Sequence, residues 1–228
     1  KAAMMKSIAQ SELDRKRFVY SDIGFILLQQ VVEAVTGKTL DAYLVSEFYR
    51  PMGLEHTLFQ PLNRYKKADI MPTAANDYLR RQDLCGYVYD EAAAFMGGVS
   101  GNAGLFSTAQ ELGKIYQMIL NEGELDGKRY LRPETCRIFT TEKSAVSHRG
   151  LGYDKPNLKD PKANACASSA PASVYGHTGF TGTCAWVDPE NDLVYIFLSN
   201  RLCPDAWNGK LNSMKIRQAV QEVIYTPE

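Results

Sequence analysis

Between positions 23 and 35 apolar residues recur at helical spacing. Phe25, Leu28, Val32 and Val35 lie three or four residues apart, and Gly37 stands where such a run stops. Tyr20, Ser21 and Asp22 precede it, and a short oxygen-bearing side chain at Ser21 or Asp22 can accept from an orphan amide of the first turn. A second short helix is expected after Thr39, with Leu40, Tyr43, Leu44 and Phe48 inward and Pro51 ending it. The following stretch, MGLEHTLFQPL, reads as a crossing loop. From 63 to 104 the periodicity is poor, and Gly97, Gly98, Gly101 and Gly104 crowd a segment that lets backbone approach backbone or ligand closely. Ser107 and Gln110 form a capping-box pair for a helix that ends at Gly123 and turns Leu112, Ile115, Tyr116 and Ile119 inward. Pro133 starts another short helix.

The last third changes character and becomes rich in Val, Tyr, Ile and Phe. LGYD, SVYGHTG, TCAWVDP and LVYIFLSN read as strands, and the turn DPEND folds 185–188 and 193–199 into an antiparallel hairpin. A final helix is expected over 208–225, with Leu211, Ile216, Val220 and Ile224 as its apolar stripe. Helices, then an antiparallel sheet, then a helix packed on it make an α+β pattern. The chain reads as one domain over 1–228, mostly helical over about 18–145, with the sheet and last helix over about 146–228.

Charge narrows the function. Lys and Arg number 26 against 26 Asp and Glu in 228 residues, which removes the electrostatic case for nucleic acid. Gln29, Gln30 and Glu33 interrupt the longest apolar run, so no transmembrane segment is expected. The five cysteines contain no C-x-x-C pair, and His56, His148 and His177 are far apart in sequence. Neither a metal nor a cofactor is expected from them. Phosphate-binding glycine motifs are absent. Ser100, in GGVSGNAG, is not in a nucleophile elbow, because glycine follows it directly.

Two short motifs carry chemistry together. One is Tyr20-Ser21-Asp22 before a helix; the other is GHTGFTG, where His177, Thr178 and Gly179 close a strand. A strand edge of small residues can bond an extended substrate, and amides at such an edge can receive a developing oxyanion. The pair, in this order, resembles the serine β-lactamase and penicillin-binding-protein superfamily, and within it the class C-like esterases and D-alanyl-D-alanine peptidases. VEAVTGKTLDAYL, FYRPMGLEHTLF and GLFSTAQELGKIYQMILNEG are similar to that family's connecting segments, so the resemblance runs from 18 to 225. CGYVYDEAAAFMGGVSGNAGLFSTA and GHTGFTGTCAWVDPENDLVYIFLSN are similar to the β-lactamase-like module found C-terminal to family 3 glycoside hydrolase domains in Bacteroides-like bacteria.

The resemblance implies acyl transfer to water from a peptidoglycan-related peptide, an ester or a β-lactam, in the periplasm or cell envelope. It makes Tyr20 the catalytic, proton-shuttling phenol. It makes Asp22, His177, Thr178, Gly179 and Phe180 substrate-binding, with the Phe180 amide as one oxyanion donor. Asp22 stands where the family has Asn, and His177 where Lys is commoner. None of the serines has a lysine three positions on, so the S-x-x-K nucleophile motif is missing from these residues. The expectation is an N-terminally truncated β-lactamase/transpeptidase-like fold, lacking its first strands and nucleophile helix and inactive by itself. The alternative is a catalytically dead module that binds cell-wall fragments beside an attached glycosidase. A partial sheet with an exposed edge is expected to be marginally stable, or to pair through that edge with another copy or with the missing N-terminal piece.

Overall fold

The apolar run after Asp22 forms a helix, and both of its ends are set by the residues that bound it. This is seen in a computed structural model, which describes residues 1–12 and 18–226 in two compact units, Lys1–Ser107 and Thr108–Glu228. In the first unit, α1 (Ala2–Ala9) precedes α2 (Ile23–Thr36). The Asp22 carbonyl accepts from the Phe25 and Ile26 amides, and Ser21 Oγ accepts from the Ile23 amide at 3.3 Å. At the other end Gly37 takes φ 68°, a left-handed value that only glycine adopts cheaply.

The buried face of α2 is not the expected stripe. Ile26 and Gln29 are buried, whereas Phe25, Leu28 and Val35 are exposed. The reason is a close approach. Gln29 Oε1 accepts from the Gly101 amide, and its Nε2 donates to Val99 O, both at 3.2 Å, so the glycine-rich loop meets the helix through a polar side chain. α3 (Leu40–Leu44) runs on into a π-helical turn, Val45–Tyr49, before Pro51. That extra residue per turn brings Tyr49 into the core beside Leu40, instead of Tyr43, Leu44 and Phe48, which are half-buried.

Residues 58–106 hold more structure than their pattern suggests. β1 (Leu58–Phe59), inside the expected crossing loop, pairs antiparallel with β4 (Leu105–Phe106). Between them β2 (Pro72–Asp77) and β3 (Gln82–Cys85) form an irregular hairpin, followed by α4 (Glu91–Phe95). Asp90 Oδ1 caps α4 through the Ala93 amide at 2.7 Å and accepts Asn102 Nδ2 at 3.0 Å. Asn102 in turn accepts from the buried Ser100 hydroxyl.

In the second unit α5 (Ala109–Leu120) is capped by Thr108, whose Oγ1 accepts from Glu111 N; the Ser107 hydroxyl bonds Thr57 instead. β5 (Glu124–Leu125) and β6 (Lys128–Arg129) make a tight hairpin before α6 (Pro133–Thr141). The sheet is β7 (Tyr175–Thr178), β8 (Cys184–Asp188) and β9 (Leu193–Phe197), antiparallel in that order. β8 is buried throughout, and Trp186 packs with Cys166, Val174, Cys184 and Tyr195. Burying each large apolar side chain there is worth about 1.5–3 kcal/mol.

The expected final helix is two. α7 (Lys210–Ser213) and α8 (Ile216–Tyr225) are separated at Lys215, φ 49°. Val220 and Ile224 are exposed, and Gln221 is buried, accepting from the Ala167 amide at 2.8 Å. The apolar stripe misplaces the inner face because the helix docks by hydrogen bonds. All five cysteines are free thiols. No helix among the described residues is long and apolar enough to cross a membrane.

Candidate active site

In the first unit the candidate residues stand on the loop that enters α2. No side chain caps α2: Ser21 Oγ accepts from the Ile23 amide just ahead of it, and Asp22 is the half-buried N-cap residue whose carbonyl starts the helix. Tyr20, one residue ahead, is 53% exposed. The two polar neighbours fix the loop on which the exposed Tyr20 stands.

In the second unit the candidate residues stand at the end of β7. Gly176 exchanges both backbone hydrogen bonds with Asp154 on the outer edge, at 2.7 and 3.1 Å. Backbone polarity alternates along a strand, so Tyr175 and His177 face β8 and the Thr178 backbone faces outward. Any side chain at Gly176 would strike β8, since a Cβ there would lie 2.1 Å from Ala185 O. Beyond Thr178 the chain turns tightly. The Gly179 amide donates to Thr183 O at 2.7 Å, and the Gly182 amide returns to Gly179 O at 3.1 Å.

His177 is held at both ring nitrogens. Nδ1 lies 2.7 Å from Thr178 O, which can only accept, so Nδ1 carries a proton. Nε2 lies 2.8 Å from Arg149 Nη1, which can only donate, so Nε2 presents its lone pair. The fixed positive charge beside the imidazole belongs to Arg149. Arg149 also approaches the buried Asp154 carboxylate at 3.6 Å, and His148 Nε2 reaches the other oxygen at 2.9 Å.

Around the strand the ionisable groups are shifted toward neutrality. Burial lowers the Lys155 ammonium, with Lys143 adding repulsion; its Nζ donates to Thr140 O at 2.5 Å. Burial raises the Tyr153 and Tyr175 phenols, whose rings meet edge-on at 5.0 Å. It also pushes the Cys184 thiol up to about 11.

Two arginines hold the turn after Thr178. Arg217 Nη1 donates to Gly179 O at 3.2 Å and Thr183 O at 2.9 Å. Arg201 Nε donates to Phe180 O at 2.6 Å while its guanidinium lies 4.2 Å from the Phe180 ring centroid. The Phe180 ring is otherwise largely exposed.

Of the residues expected to form the site, Tyr20 and Asp22 lie in the first unit, and His177, Thr178, Gly179 and Phe180 lie together in the second. Sequence reasoning missed Arg149, Asp154, Arg201 and Arg217. Arg149 is 28 residues from its partner His177, and no spacing rule links them. Arg217 was obscured by the apolar stripe assigned to its helix. Among the described residues no group of histidine, cysteine or carboxylate side chains can hold a metal ion.

A family model described as Beta-lactamase matches residues 1–218. The chain is 37% identical over 197 residues to a protein named "Putative D-alanyl-D-alanine carboxypeptidase" from Escherichia coli K12, covering 81% of this chain and 45% of that one. It thus spans about half the length of the curated relatives it matches. Its fold is similar to a β-lactamase from Mycobacterium bovis, with TM-score 0.58 at 19% identity over 91% of this chain and 63% of that one. It is also similar to the octameric penicillin-binding protein homologue from Pyrococcus abyssi, with TM-score 0.59 at 18% identity over 93% and 46%.

Proposed function

The chain belongs to the β-lactamase family, and from that premise we propose that it forms the substrate-binding part of a serine hydrolase cleaving a peptidoglycan-related peptide or a small ester at the cell envelope. In this reading the nucleophile and its lysine come from a preceding S-x-x-K segment, because none of the serines in these 228 residues has a lysine at the third following position. The exposed apolar face of α2, with Ile23, Leu27, Leu28, Val31 and Val35, supports a larger surrounding core.

The end of β7 is the observation that carries the proposal. Thr178 turns its amide toward the outer edge of the sheet, where an extended acyl donor can pair. The Phe180 amide follows in the turn, and this reading assigns it, with the nucleophile's own amide, to an oxyanion hole. Tyr20 shuttles the proton. As the serine hydroxyl adds to the acyl carbonyl, Tyr20 as phenolate takes the hydroxyl proton, then returns it to the leaving group as the tetrahedral intermediate collapses. Water repeats the cycle to release the acid. A free phenol has a pKa near 10, so this role requires the adjoining lysine ammonium.

Incubating a form extended upstream through the nucleophile segment with a fluorescent penicillin or a fluorophosphonate tests the proposal. A covalent adduct mapped to the S-x-x-K serine is expected. Absence of any adduct with both probes would sink it and favour a cell-wall-fragment binding module.

A further inference from the structure

The peptide group joining Gly179 to Phe180 is gripped at its carbonyl. Its carbonyl oxygen accepts from Arg217 Nη1 at 3.2 Å and from the Gly182 amide at 3.1 Å. The Gly179–Phe180 bond is trans, so its N–H points opposite to its C=O. Whatever fixes the carbonyl therefore aims the amide. We propose that Arg217, on α8, is a positioning residue that sets the direction and donor strength of the Phe180 N–H.

Three features support an aiming role beyond general packing. Arg217 Nη1 also bonds Thr183 O at 2.9 Å, the same oxygen that receives the Gly179 amide, so one guanidinium nitrogen spans both ends of the turn. Its Nη2 is anchored to Asn212 Oδ1 at 3.0 Å, and its own carbonyl accepts from the Tyr195 hydroxyl on β9 at 3.0 Å. The group is thus fixed to α7 and to the sheet before it touches the turn. Its Nε is buried with no hydrogen-bond partner, a cost of the kind retained where geometry matters. Chemically, an amide whose carbonyl accepts from a cation is polarised and donates more strongly through its N–H. Arg201, on Phe180 O, fixes the next peptide plane in the same way.

The functional meaning rests on the serine-hydrolase reading above, whereas the aiming itself does not, and the test separates the two. Labelling glycine with carbonyl 13C and phenylalanine with 15N makes only Gly24–Phe25 and Gly179–Phe180 visible in a carbonyl-to-amide NMR correlation. In Arg217→Gln the Gly179–Phe180 peak is expected to shift while Gly24–Phe25 stays, and Arg217→Lys is expected to retain part of the wild-type position. An unmoved peak in a folded Arg217→Gln overturns the proposal. If that variant does not fold, Arg217→Lys and Asn212→Ala supply the comparison, and no shift in either also overturns it. In the nucleophile-bearing form, ester turnover in Arg217→Lys should lose roughly 10–100-fold in kcat with KM within about twofold. Unchanged kcat with a moved peak would overturn the catalytic consequence. If wild type turns over no ester, the hydrolase reading fails, and the peak still decides the aiming.

Discussion

Gly101 lies against helix α2 so closely that a Cβ on it would sit 2.2 Å from the Phe25 carbonyl oxygen. Backbone meets backbone there, with no flexible side chain to yield. Replacing Gly101 by Ala is expected to cost about 2–3 kcal/mol, as overpacking at a fixed contact does. Urea denaturation should show a lower midpoint at an unchanged slope. Gly97→Ala, where a Cβ would meet nothing within 4 Å, tests φ strain alone because Gly97 sits at φ 92°.

Asp188 is buried at the β8–β9 turn and serves four donors. Its Oδ1 accepts the Glu190 and Asn191 amides at 3.0 and 3.2 Å, and its Oδ2 accepts Asn191 Nδ2 and Tyr225 Oη at 2.7 and 2.9 Å. Asp188→Ala leaves these donors without their acceptor and is expected to cost about 3 kcal/mol. Tyr225→Phe removes one of the four and should cost about 1 kcal/mol. Chemical denaturation of both variants ranks them, and equal losses would refute the network.

Alkaline pH should destabilise the second unit. Burial raises the Cys166 thiol to about 12 and the Cys184 thiol to about 11. A raised folded value means the folded state keeps protons that the unfolded chain releases. The stabilisation is full below the unfolded thiol value near 8.5 and is lost as pH rises above it, with a limiting slope of about 1.4 kcal/mol per pH unit for each thiol. Melting temperature recorded from pH 7.5 to 10.5 should fall, and Cys166→Ala with Cys184→Ala should flatten that fall.

Acid pH acts through Glu222. The Ser169 hydroxyl, and then the Ser169 and Ser168 amides, hold its carboxylate below the ordinary glutamate range against a small burial cost. A lowered folded value gives stability that is present above the unfolded value near 4.3 and lost as pH falls through the folded one. Glu222→Gln should therefore melt lower than wild type at pH 7, and the two should converge below pH 4.

The elements that sequence pattern located well are those bounded by backbone chemistry. Gly37, Pro133 and the DPEND turn ended or began structure where expected, because φ preference and side-chain capping act locally. The inner faces of α2 and α8 were misassigned for one shared reason. Each docks through a buried glutamine, Gln29 or Gln221, and apolar periodicity carries no information about hydrogen bonds made to residues 54–72 positions away. The hairpins between 58 and 106 escaped because strands of two to six residues with bulged register show no alternation. At the site, motif residues on one short segment were legible, whereas Arg149 and Arg217 reach them only through tertiary folding.

The interruption at Lys215 does something a longer helix cannot. In an unbroken helix Asn212 and Arg217, five residues apart, would project about 140° from each other around the axis. The single left-handed residue acts as an elbow joint that swings α7 back, so that Asn212 becomes a bracket for the Arg217 guanidinium. The alignment of a peptide plane nearly forty residues upstream is thereby made to depend on one backbone dihedral between two helices, and a glycine at 215 would keep the elbow where a β-branched residue would straighten it.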